Sequence, residues 1–210
     1  MFRLKKLNLV TSLQELSSIS SGKKLINTIN AFSYNNARKD KSFAEALTNG
    51  DYLVPDGESI VMACKWLNAK SKPSERIAGW DLFILEMDKL NQTLGKCMFM
   101  GSSEKVLALI KEQAAKQYPN IEIVTYSPPY KKEFSDEDNQ AIIDAINGNK
   151  PDLLWIGMTA PKQEKWVYEH WDKLNIECHV GTIGAVFDFF AGTAKRAPEW
   201  FQRHCLEWLY

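Results

Sequence analysis

No stretch of this sequence approaches the roughly 18 apolar residues that a membrane-spanning helix requires. The opening MFRLKKLNLVTSLQELSS carries charges but no uninterrupted apolar core of the kind a secretory leader has. A cytoplasmic location, or a peripheral one, is the expectation. Charge of one sign is also missing: 26 basic residues face 26 acidic ones, so no global field favours a polyanion and no nucleic-acid partner is expected. The four cysteines, Cys64, Cys97, Cys178 and Cys205, contain no C-x-x-C pair, which gives neither a zinc signature nor a small disulfide framework. His170, His179 and His204 show no ligand spacing. No G-x-G-x-x-G follows an apolar run, which counts against a dinucleotide-dependent oxidoreductase. Repeats, low-complexity tracts and linkers are absent, and 210 residues suit one α/β domain, with the basic and aromatic end from about residue 196 to 210 as a peripheral helix.

What is present is an alternation of short apolar runs with helical patterns. Strands are expected over residues 24–29, 51–54, 96–100, 121–126, 152–156 and 177–180. Helices are expected over 33–49, 59–69, 81–90, 104–118, 135–147 and 161–174, with Asp81 capping the third and Ser135 with Asp138 forming a capping box for the fifth. Strands alternating with helices imply an α/β fold built on a largely parallel sheet with flanking helices. In such a sheet, residues that follow the strands enter a crevice outside their carboxyl ends. Three apolar stretches break into small residues and a polar cluster: Tyr52 to Gly57, Leu153 to Glu164 and His179 to Gly192.

Each cluster has a plain and a chemical reading. Pro55-Asp56-Gly57 is a favoured turn sequence, yet a carboxylate between a strand and a helix can also take the proton of a sugar hydroxyl. Pro161 suits a helix start, so the amides of Lys162, Gln163 and Glu164 could face a diphosphate; alternatively Lys162 and Glu164 are solvated first-turn charges. Thr28 and Asn30 either end the first strand or offer a hydroxyl and an amide to a ligand. Arg76 is a connector charge or a diphosphate partner. The aromatics of Phe187 to Phe190 suit the core, while Asp188 among them needs solvent or a partner, with Arg196 one candidate. Asp136-Glu137-Asp138 has the D-x-D form of a metal site but follows Ser135, which makes it a helix start.

These residues, taken in order, carry a resemblance. Thr28-x-Asn30, Pro55-Asp56-Gly57, Arg76 with Gly79 and Asp81, Pro161 to Glu164, Phe187-Asp188-Phe189, Ala191-Gly192, Arg196-Ala197-Pro198 and Glu207-Trp208-Leu209 together resemble the WecG/TagA/CpsF family of bacterial glycosyltransferases. The resemblance spans about Ile26 to Trp208 and implies a Rossmann-like, inverting enzyme with Asp56 as catalytic base; with the D-x-D at a helix start and no histidine ligand spacing, it is expected to work without a metal or cofactor. It also implies substrate contacts from Thr28, Asn30, Gly57, Arg76, Gly79, Gly157, Pro161, Lys162, Gln163, Glu164, Gly184 and Asp188. The implied donor is a UDP-sugar carrying N-acetylmannosamine, its uronate or a related hexose, and the acceptor a polyprenyl-linked saccharide of cell-wall or surface-polysaccharide biosynthesis.

Two positions depart from the family pattern: Trp80 replaces a small residue beside the pocket, and Thr159 replaces a frequent glycine. Lys195, Arg196, Arg203 and His204 cluster with Trp200, Phe201, Trp208, Leu209 and Tyr210. Relatives commonly continue into an arginine-rich extension where this sequence stops, so weak membrane binding at the inner face of the cytoplasmic membrane is expected. A homo-oligomer is left open. The competing readings are a non-catalytic assembly protein and an NAD-type nucleotide-binding protein.

Overall fold

The computed structural model describes residues 2–198 together with Trp200 and Phe201. Strands β1 (Lys24–Ile29), β2 (Tyr52–Pro55), β3 (Lys96–Gly101), β4 (Glu122–Tyr126), β5 (Leu153–Gly157) and β6 (His179–Thr182) form one sheet in the order β2-β1-β6-β5-β3-β4, every pair parallel. The helices are α1 (Leu13–Ser17), α2 (Ala31–Ala37), α3 (Lys41–Thr48), α4 (Glu58–Trp66), α5 (Gly79–Asn91), α6 (Glu104–Gln117), α7 (Asp136–Asn149), α8 (Lys162–His170) and α9 (Gly184–Ala191).

Both faces of the sheet are covered, so the inner strands are apolar throughout rather than alternating with polar residues. In β3 and β5, Cys97, Phe99, Leu153 and Trp155 point to one face and pack with α5, α6 and α9. Met98, Met100, Leu154 and Ile156 point to the other and meet α7 and α8. Ile29 and Leu53 of the outer strands pack with Phe43 of α3 and with Ile60 and Cys64 of α4. The thiols of Cys64, Cys97 and Cys178 are free and buried, and burial raises the pKa of each. Cys205 lies outside the described residues.

Several boundaries differ from the sequence reading. The single helix expected over 33–49 is two helices, because Asp40 stops the first turn pattern and caps α3 by accepting from the Phe43 amide at 3.1 Å. Lys165 of α8 donates to the same carboxylate at 2.6 Å, and that hydrogen bond holds Asp40 at a pKa of about 2. A local break thus becomes a tie between the α2–α3 pair and α8. Asp81 acts in the first turn of α5, where it accepts from the Ala78 amide at 2.7 Å, rather than as the residue before the helix. Strand β6 lies two residues later than expected, and α8 ends at His170 before a short 3₁₀ turn. Short α1 was not expected, and the aromatic run proved to be a helix, α9. The capping box of Ser135 and Asp138 is present as read.

A polar bridge crosses the outer sheet. Fully buried Asn27 of β1 accepts from Thr182 Oγ1 of β6 at 2.8 Å and donates to the Ala46 carbonyl of α3 at 3.1 Å. At the opposite edge, His179 Nδ1 lies 2.7 Å from Glu86 Oε2, and its Nε2 lies 3.0 Å from the Ser20 carbonyl. The hydrogen bond to Glu86 raises the imidazole pKa against the effect of burial. Burial pushes Glu86 upward, but the hydrogen bonds and charges of His179 and Lys89 outweigh it and hold the carboxyl below its ordinary value.

A raised histidine contributes stability that is complete below its unfolded pKa, about 6.5, and lost as pH rises through the higher folded value. A lowered glutamate contributes above its unfolded pKa, about 4.3, and loses that as pH falls through the folded value. The pair therefore stabilises most between these limits. His179→Gln is expected to lower the melting temperature near pH 6 and to flatten its decline towards alkaline pH. Melting curves across that range check this, and an undiminished decline in the variant would remove the pair as its source.

Candidate active site

A crevice of about 1170 Å³ opens outside the carboxyl ends of the strands. All six strands deliver a residue to it directly: Asn30 after β1, Asp56 after β2, Ser102 after β3, Ser127 after β4, Met158 after β5 and Ile183 after β6. The expected location is therefore the observed one, and the crevice draws on strands whose ends carried no conspicuous motif.

Asp56 sits at a strand-to-helix junction. Its amide donates to the Ile29 carbonyl at 2.9 Å, which fastens the end of β2 to the end of β1. Gly57 follows with φ of 147°, a conformation that side chains rarely adopt, and opens α4. The Pro-Asp-Gly sequence thus turns the chain into a helix and leaves Asp56 half-buried on the crevice wall. Gly79, at the start of α5, lines the crevice too, and a β-carbon there would stand 3.8 Å from Asp56 Oδ2. Arg76 is half-buried in the connector just before Ile77, whose amide donates to the Pro55 carbonyl at 3.1 Å. Gly57, Arg76 and Pro161 are not among the crevice walls, whereas Thr28, Asn30, Gly79, Gly157, Lys162, Gln163, Glu164, Gly184 and Asp188 are.

Asn30 has a structural task as well. Its Oδ1 caps α2 by accepting from the Ser33 amide at 2.9 Å, while Ser33 Oγ accepts from the Asn30 amide at 2.8 Å. With the oxygen committed, its side-chain NH₂ is the group left to donate.

The start of α8 differs from the anion cradle suggested by its sequence. The Lys162 amide donates to the Thr159 carbonyl at 2.9 Å, so the first of the three amides is already engaged. Lys162 Nζ donates to the Lys131 carbonyl and lies 3.6 Å from the Phe134 ring centre; burial lowers its pKa. Glu164 is not a solvated charge but a buried one, and burial pushes it up to about 7. Gln163 is buried beside it, accepting from the Met158 amide at 3.1 Å and donating to Glu164 Oε1 at 2.8 Å.

Sequence reasoning missed one wall. The segment between β4 and α7 brings Pro128, Tyr130 and Phe134 to the crevice, and Ser127 Oγ anchors it by donating to the Ser102 carbonyl at 2.8 Å. Its length and its two prolines were the available signal. Asp188, on α9, accepts from Thr193 Oγ1 at 3.0 Å, while the Arg196 guanidinium lies 5.2 Å from the Trp80 ring centre. Trp80 itself packs on Phe83 and Phe190 and is not among the crevice walls, so the altered pocket wall expected from it is not found. Asp138 accepts from the Ser135 amide at 2.9 Å and pairs with Lys131 at 2.7 Å, as a helix start should.

One deep crevice at the carboxyl edge of a parallel sheet, with an acid at a strand end, defines an α/β protein of the small-molecule-binding class. The chain belongs to the WecG/TagA/CpsF family of glycosyl transferases, whose model matches residues 2–210. Among its relatives, a protein of Bacillus spizizenii is 34% identical over 175 residues, covering 83% of this chain and 65% of the relative. A Bacillus subtilis protein is 29% identical over 186 residues, covering 89% and 70%. A Staphylococcus aureus protein is 28% identical over 193 residues, covering 91% and 72%. Each of the three is named N-acetylglucosaminyldiphosphoundecaprenol N-acetyl-beta-D-mannosaminyltransferase. The chain spans about two thirds of the length of these relatives.

Gly184 is where α9 meets the β5–α8 turn. A β-carbon on it would stand 2.6 Å from the Met158 carbonyl oxygen and 2.8 Å from Gln163 Oε1. Gly184→Ala is expected to force these segments apart and to cost about 1–3 kcal/mol, the range for overpacking. Denaturant unfolding measures this; an unchanged midpoint would mean that the turn yields freely.

Proposed function

We propose that this protein transfers an N-acetylated hexosamine from a UDP-sugar to a polyprenyl-diphosphate-linked saccharide, in the biosynthesis of a cell-wall or surface polysaccharide. The names of the relatives favour N-acetylmannosamine as the sugar and a diphosphoundecaprenol-linked N-acetylglucosamine as the acceptor. The observation that carries the reading is the half-buried Asp56 at the carboxyl end of β2, on a crevice it shares with the starts of α8 and α9.

In this reading the acceptor hydroxyl oxygen attacks the anomeric carbon, and the bond from that carbon to the diphosphate breaks with its electron pair leaving on UDP. The hydroxyl proton passes to the Asp56 carboxylate. A single displacement inverts the anomeric centre and needs no protein nucleophile. Arg76, in the segment tied to the end of β2 but outside the crevice walls, is assigned the departing charge on the family resemblance and not on its position. A divalent metal is not required in this scheme, because the Asp138 carboxylate of the D-x-D is committed to its cap and to Lys131.

The lipid of the acceptor places the reaction at a membrane surface. Among the described residues no helix is long and apolar enough to cross a membrane. Lys195, Arg196 and Trp200, with Trp200 57% exposed, are suited to weak peripheral contact. Arg203, His204, Trp208, Leu209 and Tyr210, which complete the basic and aromatic cluster, lie outside the described residues.

Asp56→Asn is expected to keep UDP binding and to lose turnover by roughly 10²- to 10⁴-fold, the range for a general base. The assay is UDP release with a short-chain polyprenyl-diphosphate saccharide, and near-normal turnover would sink the assignment. Chelator is expected to leave transfer intact. Activity abolished by EDTA and restored by magnesium or manganese would overturn the metal-free scheme.

A further inference from the structure

Glu164 presents an unusual combination. It is 2% exposed, it lines the crevice, and its Oε2 has no hydrogen-bond partner among the described residues. Burying a carboxyl group without satisfying both oxygens is costly, and such an atom on a residue that lines a binding crevice calls for a partner from the ligand. The groups already bonded to this carboxyl settle what that partner should be. Gln163 Nε2 donates to Oε1 at 2.8 Å, which commits that oxygen as an acceptor. Every contact supplied by the protein is therefore a donor to an acceptor, and the first turn of a helix favours the negative form.

We infer that Glu164, oriented together with Gln163, forms a subsite for a neutral hydrogen-bond donor of the sugar, a hydroxyl or an acetamido N–H, and not for the diphosphate. This rests on the transferase reading and assigns part of the same crevice. Above neutral pH, where the carboxyl is ionised, a diphosphate oxygen against Oε2 would place anion against anion, and the Lys162 amide that could offset it is taken by the Thr159 carbonyl. Lys162 is held by the Lys131 carbonyl and the Phe134 ring, Lys131 is paired with Asp138, and Lys132 lines the crevice from the β4–α7 segment. Lys165 is paired with Asp40, and Lys41 of the adjoining α3 with Glu45. The remaining acids of the crevice include Asp56 after β2, Asp188 on α9 and Glu104 on α6. An uncharged sugar group satisfies Oε2 without adding to that negative charge.

The subsite carries a proton signature. In the free protein, burial pushes the Glu164 pKa up to about 7 despite the hydrogen bond from Gln163. A further donor stabilises the ionised form, so sugar binding near neutral pH releases a proton and tightens as pH rises through that value. The same N-acetylated hexosamine chemistry is offered by the donor and by the acceptor, and separate ligands distinguish the two.

The experiment is calorimetric titration of the wild type and Glu164→Gln with UDP, with a UDP-N-acetylhexosamine, and with a short-chain polyprenyl-diphosphate N-acetylglucosamine. Measurements at pH 6, 7 and 8 in two buffers of different ionisation enthalpy report the proton. The substituted amide keeps the acceptor that Gln163 needs but can turn an NH₂ towards the ligand donor. Expected is an about 10- to 100-fold weaker affinity for one of the two sugar-bearing ligands. UDP binding should be unchanged, and the variant should lose the proton release. The variant should also melt higher than the wild type at pH 8, because a buried charge lacking a partner has been removed. Equal weakening for UDP would make Glu164 a diphosphate contact, and unchanged affinity for every ligand would make it structural; either overturns the inference. Wild-type protein that binds neither sugar ligand would sink the transferase reading and this subsite together, whereas wild-type binding that Glu164→Gln leaves intact would sink the subsite alone.

Discussion

The crevice depends on the aromatic packing that seats α9 and α5 against the sheet. Phe187 and Phe190 of α9 meet Phe99 of β3 at ring separations of 5.2 and 6.4 Å. Phe83 of α5 stands 4.8 Å from Phe190 and 5.6 Å from Trp155 of β5. Each such side chain contributes about 1.5–3 kcal/mol by burial, with a smaller increment from ring geometry. Helices are stiff, so fixing these faces fixes their first residues as well. The start of α9 is thereby pressed against Gln163 and Met158, and the start of α5 is set beside Asp56. The site is polar, but its dimensions come from an apolar cluster behind it.

A second tier of contacts holds the other side. Asp40 terminates one helical pattern, caps α3 and draws Lys165 of α8 towards it; Trp166 of α8 donates to Asn139 of α7 at 2.9 Å. Helix α8 is therefore tied to elements on both sides, and its first turn can hold a buried Gln163–Glu164 pair in one orientation. Such a pair adds little to stability, since Oε2 of Glu164 lacks a partner among the described residues and burial disfavours its charge. Groups of this kind are tolerated where a ligand completes them. At the amino-terminal edge of the sheet, the His179–Glu86 pair is fully engaged and links β6 to α5 far from the chemistry.

Much of the architecture was legible in the one-dimensional pattern. Apolar runs of strand length alternating with amphipathic stretches determine a parallel sheet covered on both faces, because no other arrangement buries those runs and satisfies their backbone. Pro-Asp-Gly after such a run places a carboxylate at a strand carboxyl end, and Ser135 three residues before Asp138 marks a helix start, since both signals act over a few residues. Tertiary contact decided the rest. That the carboxylate of Asp40, which breaks residues 33–49 by capping α3 locally, also ties the α2–α3 pair to α8 turned on Lys165, a partner 125 positions away. That Glu164 is buried while its neighbour Lys162 lies against a loop depended on which side of α8 faces the sheet, and Trp80 joined the core because Phe83 and Phe190 offered it a surface. Local sequence determines turns, caps and periods, whose energies arise from neighbours along the chain. Burial, and with it the protonation and orientation of the groups in the crevice, is set by residues that only folding brings together.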